Sequence, residues 1–177
     1  MKHAAKIRVM LVDDHFVIRA GLVGALTLDA EIEVVAECDS GEQAIEAYRN
    51  RRPDLVLMDW RLPGTNGVEA TAAILRDFPD ARIISLTATD GEEDIHRAVE
   101  AGVVGYLPKT VSRKELLAAI RTVHGGATCF PPAIAADLDL AEVTVKFHVG
   151  NLLEKLGVAD RTQASTAAIQ GGIIHLD

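Results

Sequence analysis

The sequence predicts an α/β protein: a (βα)5 doubly wound parallel sheet, followed by a small all-α region. Three observations predict it. Short, near-continuous Val/Ile/Leu runs alternate with longer segments of helical spacing up to about residue 124. Five such pairs can be counted, which suits a sheet covered on both faces. Beyond that point the β runs stop, and the remaining chain is too short for a second full-sized domain.

The elements follow in order. Ile7 to Val12 is the first strand, and Phe16, Ile18, Leu22, Val23 and Leu26 mark the first helix. Ile32 to Ala36 is the second strand, with Ala44, Ile45, Ala47 and Tyr48 on the helix after it. Leu55 to Met58 is the third, closed by turn residues Pro63, Gly64, Asn66 and Gly67 before a helix from Val68 to Phe78. Arg82 to Leu86 is the fourth strand and Ile95 to Ala101 its helix; Val103 to Leu107 and Leu116 to Val123 complete the fifth pair. The expected divisions are 1–124 for the α/β domain, 125–133 for a linker and 134–177 for the helical region.

Composition narrows the function. The 177 residues are 49% hydrophobic and 25% charged, with 18 Lys plus Arg against 26 Asp plus Glu. A net charge of -8 argues against nonspecific coating of nucleic acid. After Thr128 only Lys146, Lys155 and Arg161 are basic, against six acidic residues, so neither part is basic. No apolar run reaches the length of a membrane helix and Met1 to Lys6 lacks a signal core, so a cytoplasmic location without membrane association is expected. Cys38 and Cys129 have no metal-ligand spacing and read as buried or incidental.

In doubly wound sheets functional groups collect at the carboxyl ends of the strands, where strand order reverses. Here strand one ends in Asp13 and Asp14, strand three in Asp59 and strand four in Ser85, Leu86 and Thr87; Pro108 and Lys109 follow strand five. Three carboxylates, a hydroxyl and an ammonium therefore meet at one edge. Crowded carboxylates repel, and a divalent cation with oxygen ligands holds them ionised. Magnesium suits the set, since no histidine or cysteine is expected at these strand ends to recruit a softer ion. Asp59 is then the candidate nucleophile for a phosphoryl group, with Lys109 and Thr87 placed to stabilise the charge on its oxygens. The plain alternatives are an Asp that caps a helix, above all at Asp13 or Asp14, and a solvated surface Lys109.

These residues resemble a known family. VDDH at 12 to 15, DLVLMDWRLPGTNG at 54 to 67, SLTA at 85 to 88 and GYLPK at 105 to 109 look like the receiver domain of bacterial two-component response regulators. The resemblance covers about residues 6 to 124. It implies that Asp59 accepts a phosphoryl group from a sensor histidine kinase, with self-catalysed transfer and loss of the phosphoryl group and no other enzymatic activity. It implies a Mg2+ pocket in which Asp14 ligates directly, Asp13 acts through water, and Asp59 and the backbone carbonyl of Arg61 complete the set. Thr87 and Tyr106 match the family's switch pair, in which the hydroxyl moves to the phosphate and the ring turns inward; Tyr106 as plain core filler is the alternative. Lys109 matches the phosphate-binding lysine, with a cis peptide at Pro108 as an option. Trp60 replaces the usual aliphatic residue after the acceptor, and either narrows access to it or packs silently against the helix of Ala98.

The stretch IAADLDLAEVTVKFHVGNLLEKLGVADRTQA, from Ile134 to Ala164, resembles the later part of the LuxR-type helix-turn-helix of the NarL/FixJ subfamily. By that resemblance Thr144 to Leu156 is the recognition helix. Lys146, Phe147 and Gly150 would read bases, Thr144, His148 and Asn151 would face phosphates, and Lys155 would join Lys146 and Arg161 in a small basic face. Gln163 to Ile173 would pair two copies as a homodimer. The chain departs from the pattern ahead of this stretch: it runs from Phe130, Pro131 and Pro132 almost directly into it, so the first supporting helix is absent. Either the chain carries an internal deletion or a segment is missing from the sequence as written.

Three functions are therefore expected to compete. The first is a phosphorylation-switched regulator of transcription that binds promoter DNA. The second is a receiver acting through protein contacts alone. The third is an enzyme of the haloacid-dehalogenase type, disfavoured because Arg61 stands where its second Asp would be.

Overall fold

The computed structural model describes residues 5–88 and 92–130, with the side chains of residues 92–94 left undescribed. Ten elements alternate along it: β1 (Ile7–Val12), α1 (Phe16–Thr27), β2 (Ile32–Cys38), α2 (Gly41–Arg51), β3 (Leu55–Asp59), α3 (Gly67–Asp77), β4 (Ile83–Thr87), α4 (Glu92–Glu100), β5 (Gly105–Pro108) and α5 (Arg113–His124). The strands form one sheet in the order β2-β1-β3-β4-β5, every pair parallel. Strand order reverses between β1 and β3, and that is where a doubly wound sheet opens a crevice.

Alternation along each strand divides the core in two. Met10, Val12, Val56, Met58, Ile83 and Tyr106 face one side, against Ala44 and Tyr48 of α2, Ala70 and Ile74 of α3 and Ile95 and Ala98 of α4. Val9, Leu11, Leu55, Leu57, Ile84 and Leu86 face the other, against Leu26 of α1 and Leu116, Ile120 and Val123 of α5. Both faces of β3 are therefore buried, which is why its sequence is unbroken hydrophobic up to Asp59.

Local signals fix where helices start. Asn66 and Glu69 form a reciprocal capping box at α3, and Ser112 and Glu115 form another at α5. Gly67 opens α3 against the end of β3: its N–H donates to Trp60 O at 3.2 Å, and a Cβ there would collide with the carbonyl oxygen of Asp59. The absence of a side chain at residue 67 thus holds the helix close to the acceptor strand. Helix α1 differs from the others, because Leu26 is its one fully buried residue and Phe16 and Val17 are 72% and 79% exposed.

Two expectations are corrected. Strand five starts at Gly105 rather than Val103, because the amides of Gly102 and Val103 still donate back to Val99 O and Ala98 O at the end of α4. No cis peptide bond occurs among the described residues, so the bond before Pro108 is trans, as the intrinsic preference and the extended ladder through Pro108 favour. Among the described residues no helix is long and apolar enough to cross a membrane. The DNA-contact assignments at Thr144, Lys146, Phe147, His148, Gly150, Asn151 and Lys155, and the dimer helix at 163–173, lie outside the described residues.

Candidate functional site

The crevice at the switch point gathers the residues that the strand ends supply. Asp13 follows β1 and is fully buried; Asp59 ends β3 and is 2% exposed. Lys109, just after β5, reaches between them, its Nζ lying 2.6 Å from Asp59 Oδ2 and 2.7 Å from Asp13 Oδ2. The contact to Asp59 is a hydrogen bond, and the one to Asp13 is an ion pair without hydrogen-bond alignment. A surface role for Lys109 is thereby set aside, since its side chain is 8% exposed. The other oxygen of Asp59, Oδ1, accepts from the backbone N–H of Arg61 at 3.1 Å. Each oxygen of the candidate acceptor thus has one donor, one of them charged.

The charges respond to this packing. Burial raises the Asp59 pKa, and the pull of Lys109 and of the Arg61 amide does not fully offset it. Burial alone would lower Lys109, but Asp13 and Asp59 beside it outweigh burial and hold its ammonium above the ordinary value. One cation faces two buried carboxylates, so the crevice carries excess negative charge.

Asp13 does not cap α1. Its Oδ1 accepts from the His15 N–H at 2.8 Å, closing a tight turn, and His15 precedes α1 without a side-chain cap. That turn has a consequence the sequence spacing did not signal. It folds the His15 imidazole back over the carboxylates, with Nδ1 2.9 Å from Asp14 Oδ1, so Asp13, Asp14, His15 and Asp59 offer ligand atoms within 4.8 Å of one another. The expectation of no histidine at these strand ends is therefore wrong, and only adjacency to Asp14 in the chain could have suggested it. Arg19 was missed as well: its guanidinium donates to the Asp13 backbone carbonyl and lies 3.6 Å from Glu37. The oxygen donors fit a hard divalent cation, since Asp14 Oδ1 is buried with only the His15 imidazole beside it, close but not aligned as a hydrogen bond.

Thr87 ends β4, is 2% exposed, and its carbonyl accepts from the Lys109 N–H at 2.6 Å. Tyr106 pairs in register with Ser85, two residues before Thr87, so Thr87 and Tyr106 share one face of the sheet. The Tyr106 ring is 1% exposed in the core against α4. Trp60 is 5% exposed in that same core, which also holds Ala98, and it lines a cavity with Asp14 and Arg61.

Comparison with known proteins agrees with this geometry. The family model of the response regulator receiver domain matches residues 9–121, and that of bacterial regulatory proteins of the luxR family matches residues 132–168. The chain is 34% identical to the response regulator protein VraR of Staphylococcus aureus, over 207 aligned positions covering 96% of this chain and 99% of that protein. A two-component response regulator of the LuxR family from Aurantimonas sp. superposes with a TM-score of 0.71 at 36% identity, covering 78% of this chain and 99% of that one. The response regulator ChrA of a heme-sensing two-component system superposes at 0.63 and 33% identity, covering 97% and 100%. An alignment of 207 positions exceeds the 177 residues available, so at least 30 positions of VraR have no counterpart here.

Proposed function

The chain belongs to the response regulator receiver family and carries a luxR-type region behind the receiver, and from that premise we propose that Asp59 accepts a phosphoryl group from a sensor histidine kinase and so switches transcriptional regulation at promoter DNA. The observation that carries this reading is the crevice itself: a buried Asp59 with one donor on each oxygen and two further carboxylates, Asp13 and Asp14, beside it.

In this reading a carboxylate oxygen of Asp59 forms a bond to phosphorus while the bond from phosphorus to the donor's imidazole nitrogen breaks, its electron pair returning to the ring. Lys109 Nζ, already against Asp59, follows the charge onto the phosphoryl oxygens, and the Thr87 hydroxyl donates to another of them. Asp13, Asp14 and Asp59, with the Arg61 carbonyl, would hold Mg2+, which when bound supplies neutralisation of the charge that the carboxylates and phosphoryl group share. His15 adds a nitrogen donor at the rim of that group. The Tyr106 ring is already inside, so phosphorylation acts by holding it there through Thr87. The phosphorylated form is the one expected to pair as a homodimer.

Trapping the acyl phosphate with borohydride after incubation with acetyl phosphate and Mg2+, then mapping the modified peptide, tests the acceptor directly. Modification at residue 59 is the expected result; modification at Asp13 or Asp14 alone overturns it.

The kinase would dock where the exposed apolar start of α1 adjoins the crevice. Val17→Asp should lower phosphotransfer from the kinase by about tenfold, the order of one lost apolar contact plus a buried charge. Labelling by acetyl phosphate should not change, because that donor needs no docking surface. An equal loss with both donors would remove α1 from the docking face.

Two observations favour the second reading, a receiver acting through protein contacts: the unmatched positions opposite VraR, and the six acidic against three basic residues after Thr128. A promoter fragment that shifts with the phosphorylated protein at low salt supports the first reading. No shift, with Asp59 still phosphorylated, supports the second.

A further inference from the structure

The chain does not leave the receiver at the end of α5. The Ala127 amide donates back to Thr122 O at 3.1 Å, and the chain then runs alongside β5. Cys129 N donates to Val104 O and Tyr106 N donates to Cys129 O, both at 2.9 Å, making a parallel bridge between Gly105 and Cys129. The following side chains alternate as strand residues do: Cys129 packs on the core beneath α5 and Phe130 on the core beneath α4.

Sequence explains both the closeness and the shortness of this contact. A Cβ at Gly105 would lie 3.1 Å from Cys129 O and 3.1 Å from Ile84 Cγ1, so a larger residue would press the segment away. A parallel ladder would next need the N–H of residue 131, and Pro131 has none. Among the described residues the bridge has two hydrogen bonds, both involving β5 or the residue before it.

We propose that residues 127–130 are an output strand: their attachment to β5 depends on the state of Asp59 and carries that state to the region that follows in the chain. The inference rests on Asp59 as the acceptor. The mechanical route is short. Lys109, bound to Asp59, directly follows β5, its amide is tied to Thr87 O, and three residues before it Tyr106 donates its amide to the segment. A displacement of Lys109 or Thr87 toward an incoming phosphoryl group pulls on β5, and a bridge of two bonds is the element along that strand most easily opened or tightened. Coupling of this kind is reciprocal, so loosening the bridge must change binding at the site.

The test uses the full chain, with beryllofluoride and Mg2+ as the phosphoryl mimic and fluorescence of Trp60, the single tryptophan, as the binding signal. Saturation should change hydrogen exchange at the Tyr106 and Cys129 amides by about tenfold, within the usual range of coupling between sites. Cys129→Pro, which removes the N–H bonded to Val104, should shift half-saturation at least about threefold. Cys129→Ala keeps that N–H and should match the wild type. Gly105→Val gives a second route, pressing on Cys129 O from the other side, and should act like Cys129→Pro. A saturable Trp60 signal with no change in exchange, or unchanged half-saturation in both bridge variants, overturns the output strand alone. No wild-type response to beryllofluoride by any signal defeats the Asp59 reading as well.

Discussion

Asp59→Asn abolishes phosphoryl acceptance: labelling by acetyl phosphate should fall to background, a loss of at least about 10³-fold, the scale on which removing a nucleophile acts. The substitution changes little else. The amide keeps an oxygen to accept from the Arg61 N–H, its NH2 group replaces the oxygen that faced Lys109, and the ammonium turns to Asp13 as its remaining partner. Stability should rise, by about 1 kcal/mol, because the variant no longer holds an ionised carboxylate in a buried and already negative crevice. The sign follows from the raised Asp59 pKa. The folded protein retains a proton on Asp59 at pH values where the unfolded chain has lost it, so wild-type stability falls as pH rises from the ordinary carboxylate range through the raised value. Denaturation curves at pH 4 to 7 should show that slope in the wild type and a shallower one in Asp59→Asn. Undiminished labelling of the variant would mean another carboxylate is the acceptor, and Asp14, the more exposed of the two left, would be the first to examine.

Much of this site could be read from the chain because a parallel sheet makes strand ends legible. Once β1, β3 and β4 are recognised as apolar runs, the residues that terminate them must share an edge, and Asp13, Asp59 and Thr87 do. What spacing cannot give is how a loop folds back. His15 joins the carboxylates through one side-chain-to-backbone bond from Asp13, a feature with no periodicity. The start of β5 was misplaced for a related reason: Val103 and Val104 have the composition of strand residues, but the last turn of α4 still claims the Val103 amide. The bridge at Cys129 was illegible altogether, because one residue pair leaves no alternating run to find. The Tyr106 ring illustrates a third limit, since an aromatic residue in a strand has the same sequence signature whether it turns inward or outward.

Lys109→Ala should be the most damaging substitution for the metal-free fold. Its ammonium reaches both buried carboxylates of the crevice, 2.6 Å from Asp59 and 2.7 Å from Asp13. Deleting one partner of a buried pair costs about 3–5 kcal/mol, mostly the penalty of the charge left behind. Three consequences distinguish this from a simple packing defect. Adding Mg2+ should recover more stability in the variant than in the wild type, because the ion replaces the missing positive charge. Lowering the pH from 7 to 5 should also stabilise the variant more, since Asp59, whose pKa burial already raises, loses the cation that pulled it down. At the alkaline end the order reverses: the wild-type pair contributes fully below the ordinary lysine value and is lost as pH rises through the raised Lys109 pKa, while the variant has no such transition. Phosphoryl acceptance should drop about 10²- to 10³-fold, the scale of removing one donor to a charged transition state, even with Mg2+ present and the fold restored. Urea denaturation in chelator and in Mg2+, at pH 5, at pH 7 and at alkaline pH, measures the first three effects together. A variant as stable as the wild type in chelator would mean that water already screens Asp13 and Asp59, and that Lys109 acts on the phosphoryl group without also supporting the fold.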